Sequence, residues 1–528
     1  MHGILPFLLA MVAAIVLLEM LATKLRVAYP IVLVVAGLLI SFIPGLPAIK
    51  VNPELIFFIV LPPLLSEAAW NISFKEMKKW YRIIGSFAFL VVLFTALAVA
   101  VVANQYIPGF SIALGFLLGG IVSPPDAVST SAITKFVKIP KSTSTILEGE
   151  SLLNDASSLI IFRFALVAIG TGQFIWQEAA LSFVWMIVGG AGAGLLLAWF
   201  FVKIHRILPT DASSDIAFTI IEPYFMYWVG EEIHSSGVLA VVAGGLYMSN
   251  RSLIFLNSAS RIMGYNVWEA FIFILNGIVF LIIGLELPEI VEGIRSEGIH
   301  LRTAIGYGVL MTLVLILARM ISAYTAMLAT YLFRRNVLPG GRSRKRILLI
   351  PLLLGWTGMR GVVSLAAALA IPVTLASGQN FPHRNLILFI TFIVILLTLL
   401  VQGLTLPFLI NRSKLFEMVS FNMEPEDIAT DKIRKGLKEH THHFLRTKFD
   451  GEWNGNPHAQ KLLQHWEEKL KQPDEDWRSE KNKKMYFEML DSQRAFLIQT
   501  NQDPSLNEDI VRHQLYLIDL EEERIKLL

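Results

Sequence analysis

Uninterrupted apolar runs of roughly 18 to 25 residues recur along the first four-fifths of the chain, and each is long enough to cross about 30 Å of hydrocarbon as a helix. Inside a bilayer only helices and closed barrels satisfy their own backbone polar groups, so the runs restrict the fold severely. About thirteen can be drawn, near 3–22, 29–46, 53–71, 81–104, 108–135, 144–169, 176–205, 213–231, 235–250, 266–288, 301–332, 347–372 and 385–411. With 54% apolar and only 16% charged residues, the composition lies outside that of soluble domains. The expected fold is an all-α polytopic membrane protein. The opening run has neither the basic start nor the small-residue cleavage site of a signal peptide and reads as a retained helix.

Basic residues collect in alternate loops: Lys24 and Arg26, FKEMKKWYR (74–82), TKFVKIPK (134–141), KIHR (203–206), Arg251 and Arg261, and RRNVLPGGRSRKR (334–346). Lys and Arg stay cytoplasmic during insertion, so the N-terminus is expected outside and the C-terminus inside, which requires an odd number of spans. After Arg412 the charge density rises abruptly. Residues 413–528 therefore read as a cytoplasmic, mainly helical tail behind a membrane domain of 1–412. Within the tail, EHTHH (439–443) reads as histidines on a solvated helix in preference to a metal or pH-sensing site.

Several classes drop out. The chain has no cysteine, hence no disulfide and no thiolate metal site. No phosphate-cradling G-x-x-x-x-G-K-[ST] is present, so ATP is not expected as an energy source and coupled transport would run on an ion gradient. The run GGAGAG (189–194) lies within a span and reads as close helix packing. A net charge of +3 sums basic inner loops and a slightly acidic tail, and gives no reason to expect nucleic acid.

Ionisable side chains at membrane depth are expensive, by at least about 2.5 kcal/mol each, so each is a functional candidate. They are Glu19, Glu67, Asp126, Glu150, Asp155, Arg163, Glu222, Glu269, Arg319 and Arg360. Glu19, Arg163 and Glu269 lie near span ends, where reaching headgroups or water accounts for them. Glu222 and Arg319 are deeper, and either helix packing or a water path would explain them. In EGESLLNDASSLIIFR (148–163), Glu150 shares a helix face with Asn154, and Ser151 with Asp155 on the neighbouring stripe. Pro124 and Pro125 should break the fifth span at Asp126, because prolines free helix carbonyls. Gly355, Thr357, Gly358 and Gly361 should break the twelfth near Arg360.

Two broken helices seven spans apart point to two inverted-topology repeats of about six helices each, crossing at a midplane site. Asp155, Asp126, Glu67, Ser151 and carbonyls freed near Pro125 offer only oxygen ligands, which suits a hard monovalent cation. A proton would compete for the same oxygens. A cation channel would need a continuous pore, and an anion carrier would aim cations or helix N-termini at its substrate.

LPPLLSEAAW (61–70), SPPDAV (123–128), EGESLLNDA (148–156), SGVLAVVAGGLYM (236–248), FILNGIVFLIIGLELP (273–288), GMRGVVSLAAALAIP (358–372) and LLVQGLTLPFLI (399–410) together resemble, in their order, the motifs of sodium/proton antiporters of the bacterial NhaP and animal NHE type. The resemblance covers the membrane region and not the tail. It implies Asp155 as the carrier of cation and proton, with Asp126, Ser151 and Glu67 as further ligands of Na+. It also implies a structural network of Asn154, Glu150 and Arg360, in which Arg360 is expected to pair with Glu150. The family usually has threonine where this chain has Pro125, so any ligand there must be the carbonyl, which bears on the choice between Na+ and K+.

The resemblance further implies no enzyme and no cofactor. The expected activity is exchange of Na+ and Li+ for H+ in a bacterial plasma membrane, serving pH homeostasis. Asn before the carrier Asp resembles the electroneutral members, so one cation is expected to exchange for one proton. K+/H+ exchange is the alternative. An elevator-type core of about 81–169 and 301–411 would move against a homodimerising scaffold of about 3–71 and 213–288.

Overall fold

The structure, a computed structural model, describes residues 4–25, 27–43, 53–72, 74–126, 141–172, 176–208, 211–333, 344–375, 378–413, 426–451, 454–471, 480–500 and 508–526. The far end of the fifth expected span, and most of the basic segments at 134–141 and 334–346, lie outside these residues. The chain forms two compact units, Met1–Asn422 and Met423–Leu528.

Helices occupy the apolar runs of the first unit. They are α1 (Ile4–Leu25), α2 (Tyr29–Ser41), α3 (Pro53–Asn71), α4 (Phe74–Gly85), α5 (Val92–Tyr106), α6 (Ile112–Val122), α7 (Lys141–Thr171), α8 (Trp176–Ile207) and α9 (Ala212–Glu232). There follow α10 (Gly237–Phe255), α11 (Ser258–Leu285), α12 (Leu287–Ser296), α13 (Leu301–Phe333), α14 (Arg344–Trp356), α15 (Val362–Leu369), α16 (Arg384–Leu397) and α17 (Gly403–Ser413). Local chemistry sets several starts: the side chains of Ser111, Asp211, Ser236 and Asn257 accept hydrogen bonds from the backbone N–H three residues on, capping α6, α9, α10 and α11.

Among the described residues seven helical stretches are long and apolar enough to cross a membrane, with α2 and α6 as shorter apolar helices. The seven are counted among the described residues alone, and three of the other runs depart there from a continuous apolar helix. Interruptions shorten the fifth and twelfth runs, and α9 carries Asp215, Glu222, Glu231 and Glu232 within its 21 residues.

Two large hydrophobic cores, and a smaller one around Trp80, Ile84, Phe87, Ile146, Ala323 and Leu354, organise the unit. One gathers buried residues of α1, α2, α5, α6, α11, α13, α15 and α16, and the other those of α3, α8, α9 and α10. Helix α7 serves both: Phe162 and Ala165 join the first core, Leu152 and Ala156 the second. Its polar stretch from Glu150 to Asp155 is thus held where the two cores meet. The glycine run packs as its composition suggests. A Cβ at Gly190 would lie 2.6 Å from Ser236 O, and one at Gly194 would overlap Ala240 O, so α8 and α10 touch through backbone.

In the second unit, α18 (Glu426–Asp450) packs on α19 (Pro457–Lys471), and α20 (Glu480–Thr500) on α21 (Glu508–Lys526). Arg494 joins the latter pair by ion pairs to Asp519 at 2.8 Å and to Glu522. The histidine tract lies on α18, with His442 Nε2 3.6 Å from a Glu467 carboxylate oxygen on α19.

Candidate functional site

Both interruptions are present, and they touch. Helix α6 ends at Val122 and the chain runs non-helically through Pro124 and Pro125 to Asp126, while residues 357–361 separate α14 from α15. The Asp126 N–H donates to Met359 O at 2.7 Å, one break supplying the backbone partner that the other lost. The approach is close enough that a Cβ on Gly361 would overlap the Asp126 carboxylate. Gly361→Ala is expected to displace Asp126 and to destabilise the protein by about 1–3 kcal/mol, the usual cost of overpacking. Thermal unfolding in detergent, with and without Na+, reads both effects.

Helix α7 faces this crossing. Ser151 Oγ donates to Pro125 O at 3.2 Å and Asn154 Nδ2 to the same carbonyl at 3.4 Å, so the proline position contributes its carbonyl oxygen. Asp155 is 8% exposed and Asp126 lies within electrostatic reach of it. Among the described residues no side chain donates to the Asp155 carboxylate. Two residues further on, Ser157 Oγ donates at 2.5 Å to Ala88 O in a π-helical turn, Ser86–Val91, which joins α4 to α5. A second π turn, Thr398–Gln402, follows α16, and its Thr398 Oγ accepts from the Arg360 N–H at 3.2 Å. Such bulges collect at functional sites because they re-aim backbone carbonyls. Nothing in the apolar runs announced them.

The expected pair of Glu150 with Arg360 is not formed. Glu150 is wholly buried and bound by both terminal nitrogens of Arg319 on α13, at 2.7 and 3.0 Å, and Arg319 Nε donates to Leu354 O at 3.2 Å. Arg360 instead donates to carbonyls: Val122 O at 2.7 Å, Ser123 O at 3.3 Å and Gly358 O. Its positive charge thereby caps the C-terminal end of α6, where unpaired carbonyls and the helix dipole are negative. Arg360 still ties the two breaks together, through backbone oxygens instead of a carboxylate. Arg319 was visible in the sequence as a membrane-depth cation, but nothing local named its partner.

Glu67 accepts from Asn71 Nδ2 at 2.5 Å and lines a cavity of about 900 Å³ together with Glu19, Glu269, Tyr29, Asp215 and Asn276. Tyr29 stands within electrostatic reach of both Glu67 and Asp126. Arg163, eight residues before the end of α7, pairs with Glu231 of α9 at a partly exposed position. Glu222 and Asp215 hold His205 between them, an arrangement hidden in a segment that reads only as part of a basic loop.

The fold and this centre define a class: an all-helical membrane protein with a polar, carboxylate-bearing centre where two interrupted helices meet. The chain belongs to the sodium/hydrogen exchanger family, whose description, "Sodium/hydrogen exchanger, transmembrane", matches residues 8–412. A sodium, potassium, lithium and rubidium/H(+) antiporter of Bacillus pumilus is 33% identical over 418 residues, covering 78% of this chain and 61% of that protein. The low-affinity Na(+)/H(+) antiporter NhaS1 of Synechocystis is 31% identical over 388 residues, covering 73% of this chain and 69% of that protein. This chain thus spans about three-fifths of the length of the Bacillus relative. Its fold is similar to that of the sodium proton antiporter MjNhaP1 from Methanocaldococcus jannaschii at pH 8, with a TM-score of 0.62 at 17% identity over 77% of this chain and 97% of that one.

Proposed function

We propose that this protein exchanges Na+, and also Li+, for H+, with Asp155 carrying one or the other. One observation carries the reading. Of the buried carboxylates Glu150, Asp155, Asp215 and Glu222, three have an arginine or histidine partner and Asp155 has none among the described residues. A buried carboxylate without a counter-charge costs several kcal/mol, and either a proton or an alkali cation removes that cost. Both cannot do so at once, and this exclusion is what couples the two flows. Asp126, Ser151 and the Pro125 carbonyl complete an oxygen-only ligand set of the kind hard cations take, while Glu67 stands on the cavity wall, bonded to Asn71. Asn154, Glu150, Arg319 and Arg360 hold the set in place.

Thirteen spans in two inverted repeats, with the N-terminus outside and the tail in the cytoplasm, suit a bacterial plasma-membrane exchanger that works as a homodimer with an elevator-type core. The 900 Å³ cavity is then the inward approach: Glu19, Asn71 and Asp215 on its wall stand toward the ends of α1 and α3 and the start of α9, where Lys24, Lys75 and Lys203 fall in the last turn of α1, the first turn of α4 and the last turns of α8. The name of the Bacillus pumilus relative includes potassium, and this favours K+/H+ exchange as the second reading.

With a single carboxylate as carrier and Asn154 beside it, one cation moves for one proton and no net charge crosses. In proteoliposomes, a membrane potential imposed without a cation or pH gradient is expected to move neither ion. Potential-driven uptake would contradict the stoichiometry, and insensitivity of Na+-driven proton movement to a valinomycin clamp would support it.

A further inference from the structure

Away from the exchange centre, His205 lies at the end of α8 between two carboxylates of α9. Its Nδ1 is 2.9 Å from Asp215 Oδ1 and its Nε2 2.8 Å from Glu222 Oε1, and Ser260 Oγ of α11 donates to Asp215 Oδ2 at 2.6 Å. All four residues are at most 4% exposed. Asp215 and Glu222, seven residues and two turns apart, share the face of α9 that meets α8. Phe218 and Phe255 pack against the imidazole, with ring centroids 5.6 and 5.0 Å away.

The geometry can be counted in protons. Each close N···O contact needs one hydrogen between its atoms. A neutral imidazole brings one hydrogen for two such contacts, and two ionised carboxylates bring none. The observed arrangement therefore contains one proton more, shared between the imidazole and the carboxyl groups. Without it a nitrogen lone pair would face a carboxylate oxygen at hydrogen-bond distance, and two negative charges would be buried beside a neutral ring, which is strongly unfavourable.

We propose that His205, Asp215, Glu222 and Ser260 form a second proton-binding site, separate from Asp155, whose bound proton fastens α8 and α11 to α9. Asp215 and Ser260 also line the 900 Å³ cavity, and Trp268 Nε1 donates at 3.1 Å to Thr219 on the same wall, so the occupancy of this site sets the packing of the wall. The packed arrangement holds the proton and a separated one does not, so raising the pH favours separation.

The charged groups on neighbouring elements have engagements of their own. Lys203 of α8 lies over the Trp199 ring, 4.2 Å from its centroid, and Arg206 is exposed. Asp211 caps α9 through Ser214, and Arg251 of α10 stacks on Tyr247. Arg261 of α11 donates to Leu256 O and to Ser258. Glu269 of α11 and Glu67 of α3 line the cavity, and Glu67 is bonded to Asn71.

Hydrogen exchange of the full-length protein in nanodiscs, followed over peptides 201–207 and 212–222 and corrected for the pH dependence of chemical exchange, tests the proposal. In the wild type, opening of these peptides should rise about tenfold per pH unit above the titration point, the slope of one linked proton. In Glu222→Gln the side-chain amide donates to Nε2 and a neutral His205 donates to Asp215. Both contacts then form without the extra proton, and the pH dependence should vanish. Asp215→Asn should behave alike, and it serves if the first variant does not fold. A wild-type opening that does not change with pH, or variants as steep as the wild type, would overturn the proposal. If neither variant folds, the wild-type slope in these two peptides, compared with α5 and α16, decides it alone. The measurement is independent of transport, so it stands or falls apart from the role of Asp155.

Discussion

Asp155→Asn is expected to reduce cation-dependent proton movement by at least about 100-fold, since an asparagine neither binds the proton nor supplies the charge that holds the cation, and about 3 kcal/mol of lost ligand interaction is two decades of affinity. Dequenching of a pH-sensitive dye in inverted vesicles, with Na+, Li+ and K+ added in turn, measures it. Thermal unfolding in detergent should show the variant at least as stable as the wild type, because it removes a buried ionisable group that has no basic partner among the described residues. A folded variant that still exchanges would place the carrier elsewhere, with Asp126 the next group to examine.

Arg319→Met is expected to destabilise the protein by about 3–5 kcal/mol, because it strands the Glu150 carboxylate at 0% exposure. Adding Glu150→Gln should recover most of the loss. Arg360→Met should cost about 1–3 kcal/mol for each main-chain carbonyl left unpaired, and Glu150→Gln should not rescue it. Two double-mutant cycles on detergent-solubilised protein distinguish the pairings: strong coupling of Glu150 with Arg319 and near-additivity with Arg360. The reverse result would restore the partner expected from the motif resemblance.

That exchange of partners marks where local reasoning stops. Helix positions were legible, because a continuous apolar run of about 20 residues satisfies its own backbone in lipid only as a helix. Both breaks were legible too: Pro124 and Pro125 cannot continue a helix hydrogen-bond ladder, and Gly358 and Gly361 sit where α14 gives way to α15. So was the facing of Ser151 and Asp155, which follows from 3.6 residues per turn. The polar cluster His205–Asp215–Glu222 was not legible: Glu222 alone stood out as a carboxylate at membrane depth, and nothing along the chain says what lies opposite it.

Composition, helical periodicity and backbone chemistry are properties of neighbours along the chain, and from them came the all-helical membrane fold, the two interruptions and the carboxylate that stands next to them. Partner choice is a property of neighbours in space. Arg319 and Arg360 are both cations at membrane depth, and only the crossing of α13 beside α14 brings one of them to Glu150, while the end of α6 draws the other to its carbonyls. A charge-assisted hydrogen bond needs its donor and acceptor within about 3 Å, so a displacement of a single helical turn decides which charge is satisfied and which is left to bind an ion.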